Sequence, residues 1–216
     1  MKDAVVLKGV VLIAQPVKDY DKRLVILTAE RGLVTAFVRG ARRQNSPLLA
    51  ATNPFVFGYF SLYEGRNAYT LVNVKAEDFF ENLPYHMPGV YYGFYFLELS
   101  SYFSREEQEA ESTVNLIYVA LKAILKEKIP LTLIRSIFEL RLLKENGLYA
   151  PPEEKGNLDE SAYYALCFVS QCSVQKLFSF TLSEDAMRDF QREVRKCLNH
   201  EVDRPMKSLA LIDEDN

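Results

Sequence analysis

Arg39, Arg42 and Arg43 lie within five residues of one another, and their side chains have the chemistry to bind phosphate. A guanidinium is a planar group with five donors that can grip two phosphate oxygens at once. The next three residues, at positions 44–46, are Gln, Asn and Ser, whose uncharged donors suit phosphate and sugar oxygens. A lone basic loop is often only a solvated surface, so the cluster leaves nucleic-acid binding and simple solubility as alternatives.

The charge of the chain is divided unequally along its length. The 216 residues carry a net charge of −3, which by itself does not indicate a nucleic-acid partner. Residues 1–80, however, hold 11 basic and 7 acidic residues, for +4, and the remainder holds 15 and 22, for −7. No acid occurs from Arg31 to Tyr63, the stretch that contains the three arginines. This asymmetry favours a basic face on the first part of the chain.

Two further basic residues, Lys22 and Arg23, are weaker candidates for phosphate contacts. They precede the arginine cluster by one predicted hairpin, and Lys18 lies nearby. Asp19 and Asp21 interleave with them and dilute the positive charge.

Aromatic residues alternate along the segment that follows the cluster. Phe55, Phe57, Tyr59 and Tyr63 share one parity and therefore one face of a strand. Such rings can stack on bases, but an apolar face of a small barrel is usually its core. We expect this face to be buried.

The chain offers no recognisable catalytic or metal site. It has two histidines and no nucleophile elbow, phosphate-binding loop or dinucleotide fingerprint. Cys167-x4-Cys172 and Cys197-x2-His200 supply four potential zinc ligands, but the first spacing is unusual and neither pair has a Gly-rich knuckle. We therefore predict a protein that is not an enzyme and that holds no metal or other cofactor.

Three cysteines are too few for a disulfide framework and favour a reducing compartment. The longest apolar stretch, Val90–Leu97, is far short of the ~20 residues that cross a bilayer. No cleavable signal opens the chain. These features predict a soluble, cytoplasmic protein without a membrane partner.

The elements change type near residue 80. Alternating apolar residues predict five strands within residues 5–74, with a short helix at 47–51 after the third strand. This order is typical of the five-stranded oligonucleotide/oligosaccharide-binding (OB) barrel. Three- and four-residue spacing then predicts four to six helices, two of them capped by Asp159 and Ser183. The predicted class is α+β, with an OB-fold domain over 1–80 and a helical domain over 81–216.

Several short segments, taken in order, resemble the RecO family of bacterial DNA repair proteins. They are Asp21-Lys22-Arg23-Leu24-Val25, Thr28-Ala29-Glu30-Arg31-Gly32-Leu33, Arg39-Gly40-Ala41-Arg42-Arg43, Asn53-Pro54-Phe55, Phe138-Glu139-Leu140-Arg141-Leu142-Leu143, Asn146-Gly147-Leu148-Tyr149 and Arg204-Pro205-Met206-Lys207-Ser208-Leu209. The resemblance covers nearly the whole chain. It implies an OB fold followed by a helical domain, which agrees with the periodicity.

The resemblance also implies a function. Members of this family are recombination mediators of the RecF pathway that bind single- and double-stranded DNA and anneal complementary strands. They act with RecR to load RecA onto DNA covered by single-stranded DNA-binding protein. Carried onto this chain, the DNA-binding residues are Arg39, Arg42 and Arg43, with Lys22 and Arg23 as weaker candidates.

One departure from the family concerns zinc. Many members have a four-cysteine zinc knuckle after the Asn-Gly-Leu-Tyr segment, but residues 150–157 of this chain contain no cysteine. The implication of zinc is therefore not carried over. The alternatives to a DNA-binding mediator are an RNA-binding OB protein, a scaffold that binds only proteins, and a hydrolase without a recognisable site.

Overall fold

The computed structural model describes residues 4–213, which divide into two compact units. The first unit comprises the described residues up to Glu81 together with 97–114, and the second comprises 82–96 and the described residues from 115 onward. The boundary near residue 80 between an OB domain and a helical domain stays a prediction.

The first unit contains a closed five-stranded barrel. Its elements are β1 (Val5–Val17), β2 (Asp21–Thr28), β3 (Gly32–Val38), the short helix α1 (Leu48–Ala51), β4 (Phe57–Glu64) and β5 (Tyr69–Asp78). The strands follow the order β1-β2-β3-β5-β4 around the barrel, and only the pair β3 and β5 is parallel. This topology, with a helix after the third strand, confirms the predicted OB fold.

Alternate residues of every strand fill the barrel. The interior cluster is Leu7, Val11, Leu24, Ile26, Val34, Ala36, Val38, Ala41, Val56, Phe60, Leu62 and Leu71. Between the register shifts of the strands, a residue's parity therefore decides whether it faces the core or the outside.

The expectation of a buried face is confirmed for Phe55 and Phe57 but is wrong for Tyr59 and Tyr63. Phe60 and Leu62 point inward, and the exposed Tyr63 and half-buried Tyr59 lie on the outer face. Phe57 is buried outside the interior cluster, where its ring centroid lies 5.5 Å from that of Phe80. Both faces of β4 carry apolar residues, so the number of aromatic rings on a face does not identify the one that points into the barrel.

Six helices follow residue 80 within the described range. They are α2 (Gly89–Phe103), α3 (Glu111–Lys126), α4 (Leu131–Glu145), α5 (Glu160–Gln171), α6 (Glu184–Glu201) and α7 (Lys207–Asp213). Asp159 caps α5 by accepting the Ser161 amide at 2.8 Å, and Ser183 caps α6 by accepting the Ala186 amide at 3.4 Å. Both predicted caps are confirmed, because each side chain satisfies a helix N-terminal amide that has no partner within the helix.

The second unit encloses a buried ionic cluster. The Tyr95 hydroxyl donates to Oε1 of Glu139 at 2.6 Å, and Nε of Arg135 lies 2.7 Å from the same oxygen. Burial, together with the neighbouring Glu139 carboxylate, raises the pKa of Tyr95 far above its ordinary value. The phenol therefore stays protonated and acts as a donor inside this unit.

Candidate nucleic-acid interface

The three arginines of the predicted site lie just beyond the end of β3. Arg39, Arg42 and Arg43 are all exposed, whereas Ala41 between them is fully buried in the barrel core. Gly40 adopts φ +64°, a left-handed conformation that glycine reaches without steric cost. Its amide donates to Oδ1 of Asp21 at 2.8 Å. The chain is thus anchored at Gly40 and Ala41 while the arginine side chains project outward.

We call residues 39–46 the arginine loop and residues 18–20 the β1–β2 turn. Backbone hydrogen bonds join these two segments, because the Arg42 amide donates to the Tyr20 carbonyl at 2.9 Å. Nη1 of Arg42 also donates to the Asp19 carbonyl at 3.3 Å. The Arg43 guanidinium carbon lies 5.6 Å from the centroid of the Tyr20 ring, within cation–π range. The two segments therefore form one surface.

Positive charge dominates this surface. Lys18 is exposed and adds a fourth cation to the three arginines, and the acids are Asp19 in the turn and Asp21 at the start of β2. The Asp21 carboxylate is already engaged by the Gly40 amide. The guanidinium groups of the arginine loop remain solvent-accessible and can neutralise phosphates without first breaking a buried contact.

Lys22 is placed differently from its predicted role. Only 9% of its surface is exposed. Its Nζ donates to Oγ1 of Thr52 at 3.0 Å, to Oδ1 of Asn53 at 2.9 Å and to the Leu49 carbonyl at 3.2 Å. Burial, followed by the nearby positive charge of Arg42, lowers the pKa of Lys22. The ammonium is therefore committed to fixing the segment around α1, and we remove Lys22 from the candidate phosphate contacts.

Arg23 lies on the outer face of the barrel, next to the arginine loop but not within it. It is half-buried and pairs across the sheet with Gln15 of β1 and with Phe37 of β3. Nη1 of Arg23 donates to Oε1 of Gln15 at 3.4 Å.

Phe37 is the exposed aromatic residue that sequence reasoning passed over. Phe37 lies within one of the predicted strands, but the prediction of that strand leaves open whether Phe37 faces the core or the solvent. Its parity was readable, because Thr35, Phe37 and Arg39 alternate with the core residues of β3.

The segment that would correspond to a zinc knuckle lacks the cysteine ligands of that motif in this chain. Residues 150–157 contain neither cysteine nor histidine, and residues 4–213 contain no group of three or more His, Cys, Asp or Glu placed to hold a metal ion. Burial raises the pKa of Cys172 and of Cys197, which disfavours the thiolate that zinc requires. Cys167, Cys172 and Cys197 are free thiols, and Nδ1 of His200 lies 2.8 Å from Oε1 of Glu201.

Hydrogen bonds hold this segment instead. The Tyr163 hydroxyl donates to the Glu153 carbonyl at 3.2 Å, and the Asp159 amide donates to Oδ2 of Asp189 at 2.8 Å. The first contact ties the segment to α5, and the second ties the N-cap residue of α5 to α6.

Comparison with known proteins gives a consistent result. The family described as Recombination protein O N terminal matches residues 1–80. The chain is 36% identical over 141 residues to a DNA repair protein RecO of Alkaliphilus metalliredigens, which covers 65% of this chain and 57% of the relative. It is 25% identical to that of Clostridium perfringens, with 94% and 95% covered, and 26% identical to that of Enterococcus faecalis, with 96% and 91% covered. Within residues 4–213, no helix is long and apolar enough to cross a membrane.

Proposed function

We propose that the chain is a member of the RecO family and that it acts in DNA repair and recombination as a mediator that binds DNA through phosphate contacts, a proposal that its similarity to DNA repair proteins RecO supports. The observation that carries the proposal is the arginine loop, whose three exposed guanidinium groups project from a backbone anchored in the barrel core. Contacts of this kind bind single- and double-stranded DNA without reading base sequence.

The same surface supports strand annealing. Two DNA strands repel each other through their phosphates, and each phosphate neutralised by an arginine lowers that repulsion. The loop leaves Arg39, Arg42 and Arg43 exposed, and Arg23 extends the positive charge along the outer face of the barrel. The protein would bring complementary strands together without chemical turnover, so no active site is required.

The partners follow from the proposed role. A mediator of this type acts with RecR on strands covered by single-stranded DNA-binding protein, and thereby helps to load RecA. It would work in the cytoplasm, in association with the nucleoid.

The proposal is tested with the variant Arg39→Ala/Arg42→Ala/Arg43→Ala. The control is Arg188→Ala/Arg192→Ala/Arg195→Ala, which removes the same charge from exposed positions of α6. Binding of single-stranded DNA is measured as a function of salt. We expect the loop variant to bind all sequences more weakly and to flatten the log–log salt dependence by up to about two units, at ~0.7 per lost contact.

Three outcomes would overturn the proposal. An unchanged salt slope in the loop variant would remove the loop from the interface. Tighter binding of RNA than of DNA of the same sequence would indicate an RNA-binding protein that recognises 2′-hydroxyls. Absence of any salt-sensitive binding to nucleic acid would leave a protein scaffold. Annealing of DNA covered by single-stranded DNA-binding protein, with and without the three arginines, then tests the mediator role itself.

A further inference from the structure

Phe37 exposes 41% of its surface on the outer face of β3. Its neighbours on this face of the strand are Thr35 and Arg39, and the inward positions Ala36 and Val38 are fully buried. Phe37 is therefore an exposed aromatic ring between two polar residues, and it does not contribute to the barrel core.

The strand register places this ring in the middle of a row that crosses the sheet. From β1 to β4 through β2, β3 and β5, the row consists of Gln15, Arg23, Phe37, Thr70 and Tyr63. Arg23 is directly opposite Phe37 on one side, and side chains opposite each other in a sheet are within contact distance. The exposed Tyr63 adds a second aromatic group at the end of the row. We call these five residues the outer row.

Apolar and uncharged residues continue beside the outer row. The adjacent positions are Ile13, Val25 and Thr35, and Ile13 is itself exposed. No acid occurs among the eight residues of the two rows. The next residue along β4, Glu64, has its carboxylate 3.7 Å from Nη1 of Arg31. These two rows therefore carry no negative charge, and Asp21, the acid on the other side of the outer row, accepts the Gly40 amide at 2.8 Å.

This combination matches the chemistry of a single nucleic-acid strand. Unpaired bases expose their π-faces and stack on aromatic side chains, while cationic groups beside the ring follow the phosphates. Phe37 lies in β3, and Arg39 follows two residues later, just beyond the end of the strand, at most about 7 Å further along the chain. Arg23 lies across the sheet on another side of the ring. Both guanidinium groups are within reach of the backbone of a strand whose base covers Phe37.

We propose that Phe37 binds an unpaired base of single-stranded DNA by stacking, with Arg23 and Arg39 holding phosphates on either side of that base. The inference rests on the proposed DNA-binding function and adds a selectivity that the arginine loop lacks. Phosphate contacts alone do not distinguish single from double strands, whereas bases within a duplex are already stacked on one another. The ring therefore favours unpaired strands over the annealed product.

The first test uses fluorescence. The chain contains no tryptophan, so Phe37→Trp introduces a single reporter at the ring position. The control is Tyr164→Trp, because Tyr164 is 61% exposed on α5 and belongs to the second unit. We expect a thymine homopolymer to quench Phe37→Trp and to leave Tyr164→Trp unchanged. Equal responses of the two variants, or none in Phe37→Trp, would overturn the stacking role.

The second test is affinity. Phe37→Ala should weaken binding of the thymine homopolymer by about 5- to 150-fold, the range that corresponds to one lost base–aromatic stack, and should leave duplex affinity unchanged. Tyr164→Ala is the matched control, because it also removes an exposed aromatic ring, and thermal unfolding verifies that both variants are folded. An equal loss for both forms of DNA, or no loss for either, would refute the stacking role.

The two proposals fail in different ways. If the variant lacking the three loop arginines loses DNA binding while Phe37→Ala does not, the stacking role falls and the DNA-binding function stands. If the unaltered protein binds no nucleic acid, the proposed function itself falls.

Discussion

The ammonium group of Lys22 donates a 2.9 Å hydrogen bond to Oδ1 of Asn53, which ties β2 to the segment that follows α1. The same nitrogen donates to Oγ1 of Thr52 at 3.0 Å, and that hydroxyl in turn donates to the Leu48 carbonyl at 2.6 Å. A buried charge is tolerated when its donors are satisfied by well-placed acceptors. Lys22 therefore stabilises the barrel end from which the arginine loop projects.

Replacing Lys22 by alanine separates this structural role from phosphate binding. Because hydrogen bonds from a charged group are lost, we expect the free energy of unfolding to fall by about 1.5–3 kcal/mol. The salt dependence of DNA binding should keep its slope. Urea denaturation and DNA titration provide the two measurements. Lys75→Ala is the control, since Lys75 is exposed on β5 and its loss should change stability by less than about 0.5 kcal/mol. A slope flattened by one contact at unchanged stability would make Lys22 a phosphate ligand after all.

Periodicity predicted much of the barrel because a strand's parity is local information. The five strands, the short helix after the third and the caps at Asp159 and Ser183 all depend on residues close together in sequence. The exit of the arginine loop also follows from one local feature, since Gly40 reaches a positive φ where β3 ends.

Contacts across long sequence separations could not be read in this way. The acceptors of Lys22 lie some thirty residues further along the chain, at Thr52 and Asn53. Parity does predict that Lys22 faces inward, because it lies on the same face of β2 as the core residues Leu24 and Ile26. The same rule places Arg23 and Phe37 outside, but their pairing depends on the register between β2 and β3. Residue types alone do not fix that register.

Removing Glu139 should destabilise the second unit more than removing an exposed acid. Its carboxylate accepts from Tyr95 and is paired with Arg135, so Glu139→Ala leaves a largely buried guanidinium without its partner. We expect a loss of about 3 kcal/mol, the low end for buried pairs, because 24% of the Arg135 side chain is exposed. The control is Asp185→Ala, which removes an exposed partner of Arg188 and should cost at most about 1 kcal/mol. The free energies of unfolding are measured by urea denaturation. Similar losses in both variants would show that the Glu139 ion pair contributes no more to stability than an exposed one.

Tyr149 offers the opposite case. Its hydroxyl oxygen is buried, and it has no hydrogen-bond partner within residues 4–213. Removing an unsatisfied polar group relieves its desolvation cost, so Tyr149→Phe should raise the free energy of unfolding by about 1 kcal/mol. Tyr95→Phe loses a bond to a carboxylate and should lower it by about 1.5–3 kcal/mol. Thermal and urea unfolding of the two variants measure this contrast. A destabilised Tyr149→Phe would indicate that an ordered water satisfies the hydroxyl.

Alkaline pH should unfold the protein partly through these two tyrosines. Burial raises the pKa of Tyr149 as well as that of Tyr95, whereas a tyrosine in the unfolded chain ionises near its ordinary pKa of about 10. Above that pH the folded state holds more protons than the unfolded state. Stability is therefore fully present below about pH 10 and falls as pH rises, by up to about 1.4 kcal/mol per pH unit for each tyrosine.

The contribution of Lys22 to the pH dependence of stability has the opposite sign, so the experiment must cancel it. Its lowered pKa means that the unfolded chain retains the lysine proton to higher pH, so this group increases stability as pH rises toward its ordinary pKa of 10.5. Comparing the unaltered protein with Tyr95→Phe/Tyr149→Phe by urea denaturation between about pH 8 and 11 cancels that contribution, because Lys22 is present in both. The double variant should lose stability less steeply above pH 10. Parallel curves would contradict the prediction, because they would show that neither phenol keeps its proton in the folded state above pH 10.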